Sequence, residues 1–300
     1  MSLAAAAMLL AACNKQENEV ADIWNGEIRL ASGVVVQTRS TANPPDRQIA
    51  SGQDVGVFIS DAVAGSTVSE NLKYDADGSG KLTLAGGGAQ PYYPQTGNAV
   101  SIYAYHPYNA GAGVSYDFEV KTNQGADNKS YYDSDLLYSQ KKEYQRKKDP
   151  HGLVFAHKLS KVVVGLTAGS GVPGIAGAKV EIVGAETKGE FTPATGLFNT
   201  KTNENGGVQA DVQMNTAITS GSYIAIVPPQ TFNTGAKFLK VTLSSNGVLY
   251  YTLPGEEDLS LQSGKVYEYT ITVNLTGLEV ASTITDWENV GNVTGTATMQ

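Results

Sequence analysis

The segment KVYEYTITVNL, residues 265–275, sets Tyr267, Tyr269, Ile271, Val273 and Leu275 on one side of an extended chain. Glu268, Thr270, Thr272 and Asn274 fall on the other. A helix would scatter this set around its axis, whereas the two-residue period of a strand gathers the apolar members onto one face. The same signature recurs along the chain: Val55, Val57 and Ile59 in DVGVFIS, and Val100, Ile102 and Ala104 in AVSIYAYHPY. AKVEIVGA and SYIAIVPPQTF read as further strands, and KFLKVTLSSNGVLYYTL reads as a hairpin turning at Asn246-Gly247. No helical segment of comparable quality accompanies them. Many short strands broken by turn residues predict an all-β chain built as two sandwich domains.

The central stretch GLVFAHKLSKVVVGLTAG changes phase. Leu153, Phe155, His157 and Leu159 share one parity, and Val162, Val164 and Leu166 share the other. A strand that passes from one sheet to another requires such a switch, so the domain boundary is expected just after it, in AGSGVPG. The expected units are residues 40–168 and 169–300. Ahead of them, GEIRLASGVVVQTR carries Ile28, Leu30, Val34 and Val36 on one parity with Ser32 as the single gap, followed by the Pro-rich break STANPPDRQ.

Charge and cysteine content narrow the function classes. A formal charge of −8 leaves no basic surface to offset phosphate repulsion, which argues against nucleic acid as a partner. The basic run from Lys141 to Lys148 is interrupted by Glu143 and reads as a solvated loop or edge. The single cysteine, Cys13, allows no disulfide framework. It ends the apolar run MSLAAAAMLLAAC, too short to span a bilayer and suited to a signal segment over residues 1–12. Small residues before the cysteine resemble a bacterial lipobox, which predicts acylation of Cys13 and a lipidated tether beginning there.

Motifs that carry chemistry fail one by one. YDADGSGKLTLAGG places Asp75, Asp77 and Ser79 at calcium-loop spacing, yet Gly86 stands where a bidentate Glu is required, and the flanks alternate as strands. It reads as a hairpin turn. GSGVPG matches a dinucleotide fingerprint, but Pro173 removes an amide and a strand follows where a helix must begin. SQKK lacks the companion motifs of a serine acyl enzyme. His106, His151 and His157 lack metal-ligand spacing, and His157 reads as an inward, structural histidine. No catalytic residue, metal ligand or cofactor is expected.

The order of TRS, SGQDVGVFI, YYPQTGNAVSIYAYHPYN, SDLLYS and LVFAHKLSKVVVGL, then IVPPQTF, FLKVTL, SLQSGKVYEYTITV and ITDW, resembles the fimbrillin family of Bacteroidetes in its Mfa-like branch. That resemblance implies two tandem transthyretin-like Greek-key sandwiches, export as an outer-membrane lipoprotein through Cys13, and maturation by an arginine-directed protease. It further implies assembly with other fimbrial subunits into a surface fimbria by strand exchange, supporting adhesion. Carried onto this chain, Arg39 is the expected cleavage residue, with Arg29 and Arg47 as alternatives. Residues 13–39 are then the tether and a removable strand, with Ile28, Leu30, Val34 and Val36 as its inward side chains. The tail NVGNVTGTATMQ, with Val293, Ala297 and Met299 on one parity, is the candidate donor strand; the other reading is an ordinary last strand. An alternative function is a surface module that grips glycans or host proteins through exposed Tyr103, Tyr105, Tyr108, Trp24 or Trp287, although alternation assigns much of the tyrosine set to sheet packing.

Overall fold

A computed structural model describes residues 24–34, 48–172, 174–219, 221–255, 257–274 and 277–286, together with the backbone of 296–298. Its strands are β1 (Leu30–Val34), β2 (Asp54–Asp61), β3 (Thr67–Ala76), β4 (Leu82–Leu84), β5 (Val100–His106), β6 (Tyr116–Glu119), β7 (Leu137–Tyr144) and β8 (His151–His157) in the first half. A short helix, α1 (Asn128–Tyr132), is capped by the Asp127 carboxylate, which accepts from the Ser130 N–H. The second half holds β9 (Ser160–Ala168), β10 (Lys179–Glu186), β11 (Lys188–Thr192), β12 (Leu197–Thr200), β13 (Gln209–Gln213), β14 (Ser222–Val227) and β15 (Gln230–Phe232). It continues through β16 (Lys237–Thr242), β17 (Val248–Thr252), β18 (Leu259–Leu261), β19 (Lys265–Asn274), β20 (Gly277–Asp286) and β21 (Thr296–Thr298). The chain is all-β, as the alternation requires.

The first half forms a seven-stranded sheet in the order β1-β8-β7-β5-β2-β3-β4. Its inner face buries Val55, Val57 and Ile59 from β2, Val100, Ile102 and Ala104 from β5, and Leu153 and Phe155 from β8. Between β3 and β4 the chain turns through Asp77–Lys81, where the Asp77 carboxylate accepts from the N–H groups of Ser79 (2.8 Å) and Lys81 (3.1 Å). Positive φ at Gly78 and Gly80 completes this turn, so the calcium-like spacing serves a hairpin.

In the second half, β13-β10-β16-β17 faces β14-β9-β19-β20-β21. Val162 and Val164 of β9 and Tyr267, Tyr269, Ile271 and Val273 of β19 pack against Val180 and Ile182 of β10 and Leu239 and Val241 of β16. β16 and β17 form the expected hairpin, with Asn246 at φ 66° inside a loop that spans Leu243–Gly247. β8 belongs to the first sheet and β9 to the second, so the chain changes sheet at Lys158-Leu159, earlier than the expected boundary after Ala168.

A third core joins the halves. Phe58, Tyr105, Phe118, Tyr138, Leu159, Phe191, Ile224 and Ile226 cluster there, and β6 pairs with β11. Gln124, fully buried, donates to the Ile226 carbonyl (2.7 Å) and accepts from the Ile226 N–H (2.9 Å), acting as a piece of strand made from a side chain. Asp117 of β6 bonds Lys188 and Lys201 across the same seam.

Candidate functional site

The segment 26–34 is apolar on one parity, and the structure turns that parity inward: Ile28, Leu30 and Val34 are buried, with Ser32 buried between them. They enter the same core as Leu82, Tyr93, Leu153 and Phe155. β1 lies at the sheet margin and pairs with β8 in parallel, from Leu30 opposite His151 to Val34 opposite Phe155. Its other side meets the first sheet's far end. Ser32 N–H donates to Gly80 O (2.7 Å), Ile28 N–H to Pro91 O (2.9 Å), and Tyr93 N–H to Gly26 O (3.0 Å). β1 therefore fills a slot between two backbone edges. It is the first described strand, and residues 35–47, which follow it in the chain, lie outside the described residues.

The N-terminal end of this segment is clasped. The Arg146 guanidinium lies 4.9 Å from the Trp24 ring centre and 5.6 Å from that of Tyr93, and the two rings meet edge-on at 6.2 Å. Gly26, at φ 96°, passes so close beneath that a Cβ there would sit 2.6 Å from the guanidinium. Behind the clasp the Tyr93 hydroxyl contacts His151 Nε2 and also reaches Gln145 O (3.2 Å), while the His151 ring packs on Tyr144 at 4.6 Å. Burial, and secondarily the Lys147 charge, lower His151 to about 4. Its ring is thus neutral at physiological pH, consistent with a position among aromatic rings. Burial likewise raises the Tyr93 hydroxyl.

The other expected residues are placed as follows. Arg29 pairs with Glu27 (3.2 Å), and its carbonyl accepts from His151 N–H (2.8 Å). Cys13, Val36, Arg39, Arg47, Trp287, Val293 and Met299 lie outside the described residues. In the tail, β21 pairs antiparallel with β20, Ala297 opposite Val280, so its backbone takes the place of a last edge strand. His157 is inward and bonds Asp135 (2.9 Å), as a structural histidine does. Three of the five aromatic residues offered for glycan binding are committed elsewhere. Tyr105 is fully buried and donates to Asn71 (2.8 Å), Tyr103 stacks on Phe58 at 4.7 Å, and Trp24 is covered by Arg146. The clasp was missed from sequence because Arg146 stands in a run of charges. Only its pairing with aromatic residues far away in the chain distinguishes it from the solvated lysines beside it.

Among the described residues no group of three or more His, Cys, Asp or Glu side chains is arranged to hold a metal ion. What the site offers is a strand-shaped slot with apolar pockets and backbone donors and acceptors on both margins. That is the geometry of β-strand addition.

Residues 38–287 match the family described as Fimbrillin-like, and the chain belongs to that family. A Bacteroides uniformis protein carrying the name fimbrium subunit Fim1C is 26% identical over 306 residues, covering 97% of this chain and 96% of its own length. A crystal structure of a Bacteroides uniformis protein named for cell adhesion superposes with a TM-score of 0.67 at 24% identity, over 87% of this chain and 98% of that one. Another, from Bacteroides ovatus and also named for cell adhesion, gives 0.69 at 17% identity, over 87% and 97%. Both likenesses are of fold. The family is one of structural fimbrial subunits of the cell surface, which assemble with other such subunits.

Proposed function

We propose that this chain is a fimbrial building block made as a lipoprotein, anchored in the outer membrane through Cys13 and polymerised by donor-strand exchange. In this reading it consists of two tandem transthyretin-like sandwiches, residues 40–168 and 169–300, with the sheet change at Lys158-Leu159 refining the first limit. Proteolysis after Arg39 separates the segment carrying β1 from the remaining fold, and the slot then accepts a strand from another subunit, self or cognate. Val293, Ala297 and Met299 are the inward residues of the donor.

The observation that carries this reading is the placement of β1: the first described strand, paired in parallel at a sheet margin, with its apolar side chains inserted in the core. Ile28, Leu30 and Val34 at about 1.5–3 kcal/mol each make a slot worth roughly 5–9 kcal/mol to whichever strand fills it. That favours retention before cleavage and durable capture afterwards. Arg39 fits better than Arg29 on the same grounds. A cut after Arg29 lies within the bonded segment and leaves Leu30–Val34 attached to the body of the fold. Arg47 would also separate the strand.

Arginine-directed proteolysis of the purified full chain followed by sizing tests the proposal. Multimers are expected from the cut wild type, and none from a chain carrying both Arg39→Ala and Arg47→Ala or from a chain lacking residues 290–300. A cut wild type that stays monomeric, alone and with cognate subunits, overturns it.

A further inference from the structure

The clasp around Trp24 has a second candidate occupant in this sequence. The chain has two tryptophans, Trp24 and Trp287. Trp287 precedes Val293 by the same interval as Trp24 precedes Leu30. With the tryptophans superposed, Val293 falls on Leu30, Gly295 on Ser32, Ala297 on Val34 and Met299 on Val36. The polar gap in the first strand meets a glycine in the second, and the remaining matches are apolar on apolar. The exception is Gly291 on Ile28. Moving the tail by two residues toward the clasp sets Gly295 in the deep Leu30 pocket, and moving it the other way sets Val293 on Ser32. Both are poorer fits, so the tryptophan-aligned register is the one the pockets select.

We propose that the Arg146–Tyr93 clasp is a tryptophan-reading site that holds Trp24 in the precursor and Trp287 of a second copy after strand exchange, and that it sets the register of the incoming strand. This rests on the strand-exchange reading and adds to it a named anchor. The chemistry of the site is specific. A guanidinium with its face within 6 Å of aromatic rings favours a large π-surface over an aliphatic side chain. The Trp24 Nε1 donates to Glu27 O (3.1 Å) of its own segment, so the indole brings its own hydrogen-bond acceptor and asks only for a cation and an edge-on ring. Gly26 leaves room for Arg146 over the strand. The corresponding residue of the tail is Asn289, whose side chain requires the guanidinium to shift outward, so Trp287 seats with Arg146 displaced along the ring. Among the described residues, the tail pairs with β20 through Thr296–Thr298, a ladder short enough to be exchanged for the longer slot.

The test uses the full chain as W24F/W287F, cut by an arginine-directed protease, mixed with a synthetic peptide of residues 287–300 that then carries the sole tryptophan. The expected result is a blue shift of the peptide's emission on binding. Binding, read by titration calorimetry for all peptides because the substituted ones carry no tryptophan, should be roughly tenfold weaker for a peptide with Trp287→Ala, and roughly tenfold weaker to a protein that also carries Arg146→Ala. A Trp287→Phe peptide should retain most of the affinity. Equal affinity of the wild-type and Trp287→Ala peptides overturns the clasp as a register device. If the cut wild type still multimerises in that case, strand exchange stands and only the clasp fails. If neither peptide binds and no multimer forms, the strand-exchange reading fails with it.

Discussion

The two halves hold a long-range strand pair in different ways. In the second half, β19 and β20 are joined directly and pair over their whole length, from Lys265 opposite Asp286 to Asn274 opposite Gly277. In the first half, the margin is closed by β1, a five-residue strand that lies parallel to β8. Hairpin closure is local, and the two strands form or part together. Closure by β1 brings together residues more than a hundred positions apart, as Leu30 with His151, and its loss leaves the rest of the sheet connected. The difference is the one the strand-exchange proposal draws on: a strand held by long-range pairing can be replaced without opening a hairpin.

The largest expected effect comes from removing the closing strand. A chain cut after Arg39 and depleted of the N-terminal fragment should lose roughly 5–9 kcal/mol of stability relative to the intact chain in urea unfolding, and should bind a hydrophobic dye. Deletion of residues 290–300 should change the midpoint far less, because the described part of that tail pairs through three residues only. Equal losses would erase the contrast between the two halves.

Next in size is the seam. Phe191→Ala removes a fully buried ring from the joining core and should cost about 3–5 kcal/mol. Gln124→Ala should cost about 2–4 kcal/mol, because it strands the buried N–H and carbonyl of Ile226. Scanning calorimetry should show one transition in the wild type and two in Phe191→Ala, as the halves uncouple.

A smaller effect separates the clasp from the rest by pH. His151 is lowered to about 4 when folded, so between that value and its ordinary 6.5 the unfolded chain binds the extra proton. The contribution is fully present above pH 6.5 and fades as the pH falls toward 4. Unfolding midpoints should therefore drop from pH 7 to pH 4.5, and His151→Phe should flatten that slope. Asp61 acts in a different window. The Ala64 N–H, then Asn98, hold it below the usual carboxylate range, so its contribution is lost only below about pH 4. The smallest change is expected for Asp77→Ala, which removes an exposed side chain from a turn that Gly78 and Gly80 already shape. Its midpoint shift should approach the precision of the measurement.

Much of the architecture was legible because a period of two survives wherever one face is buried. β19, β2 and β5 follow it residue by residue, and so do Ile28, Leu30 and Val34. The phase switch between Leu159 and Val162 marked the change of sheet. The chain already changes sheet between β8 and β9, ahead of the expected domain boundary after Ala168, and β9 continues to alternate smoothly after it has joined the second sheet. Parallel pairing of β1 with β8 was not legible, since either direction buries the same parity and only the folded body selects one. β7 runs into Lys141 and Lys142, where charge suggested a solvated loop or edge, because an exposed strand face tolerates lysine. Arg146 and Gln124 escaped for a shared reason: each acts through distant partners, and neither is unusual within its own neighbourhood.

The direction of β1 has a consequence for any filament built on its slot. In the proposed exchange, a replacement strand joins the front of one molecule to the back of the next, and a contact between unlike surfaces builds an open fibre wherever its rotation does not close a ring. Such a fibre has two chemically different ends, one with a vacant slot and one with an unused tail. Growth is then confined to the end where the arriving molecule supplies what is missing.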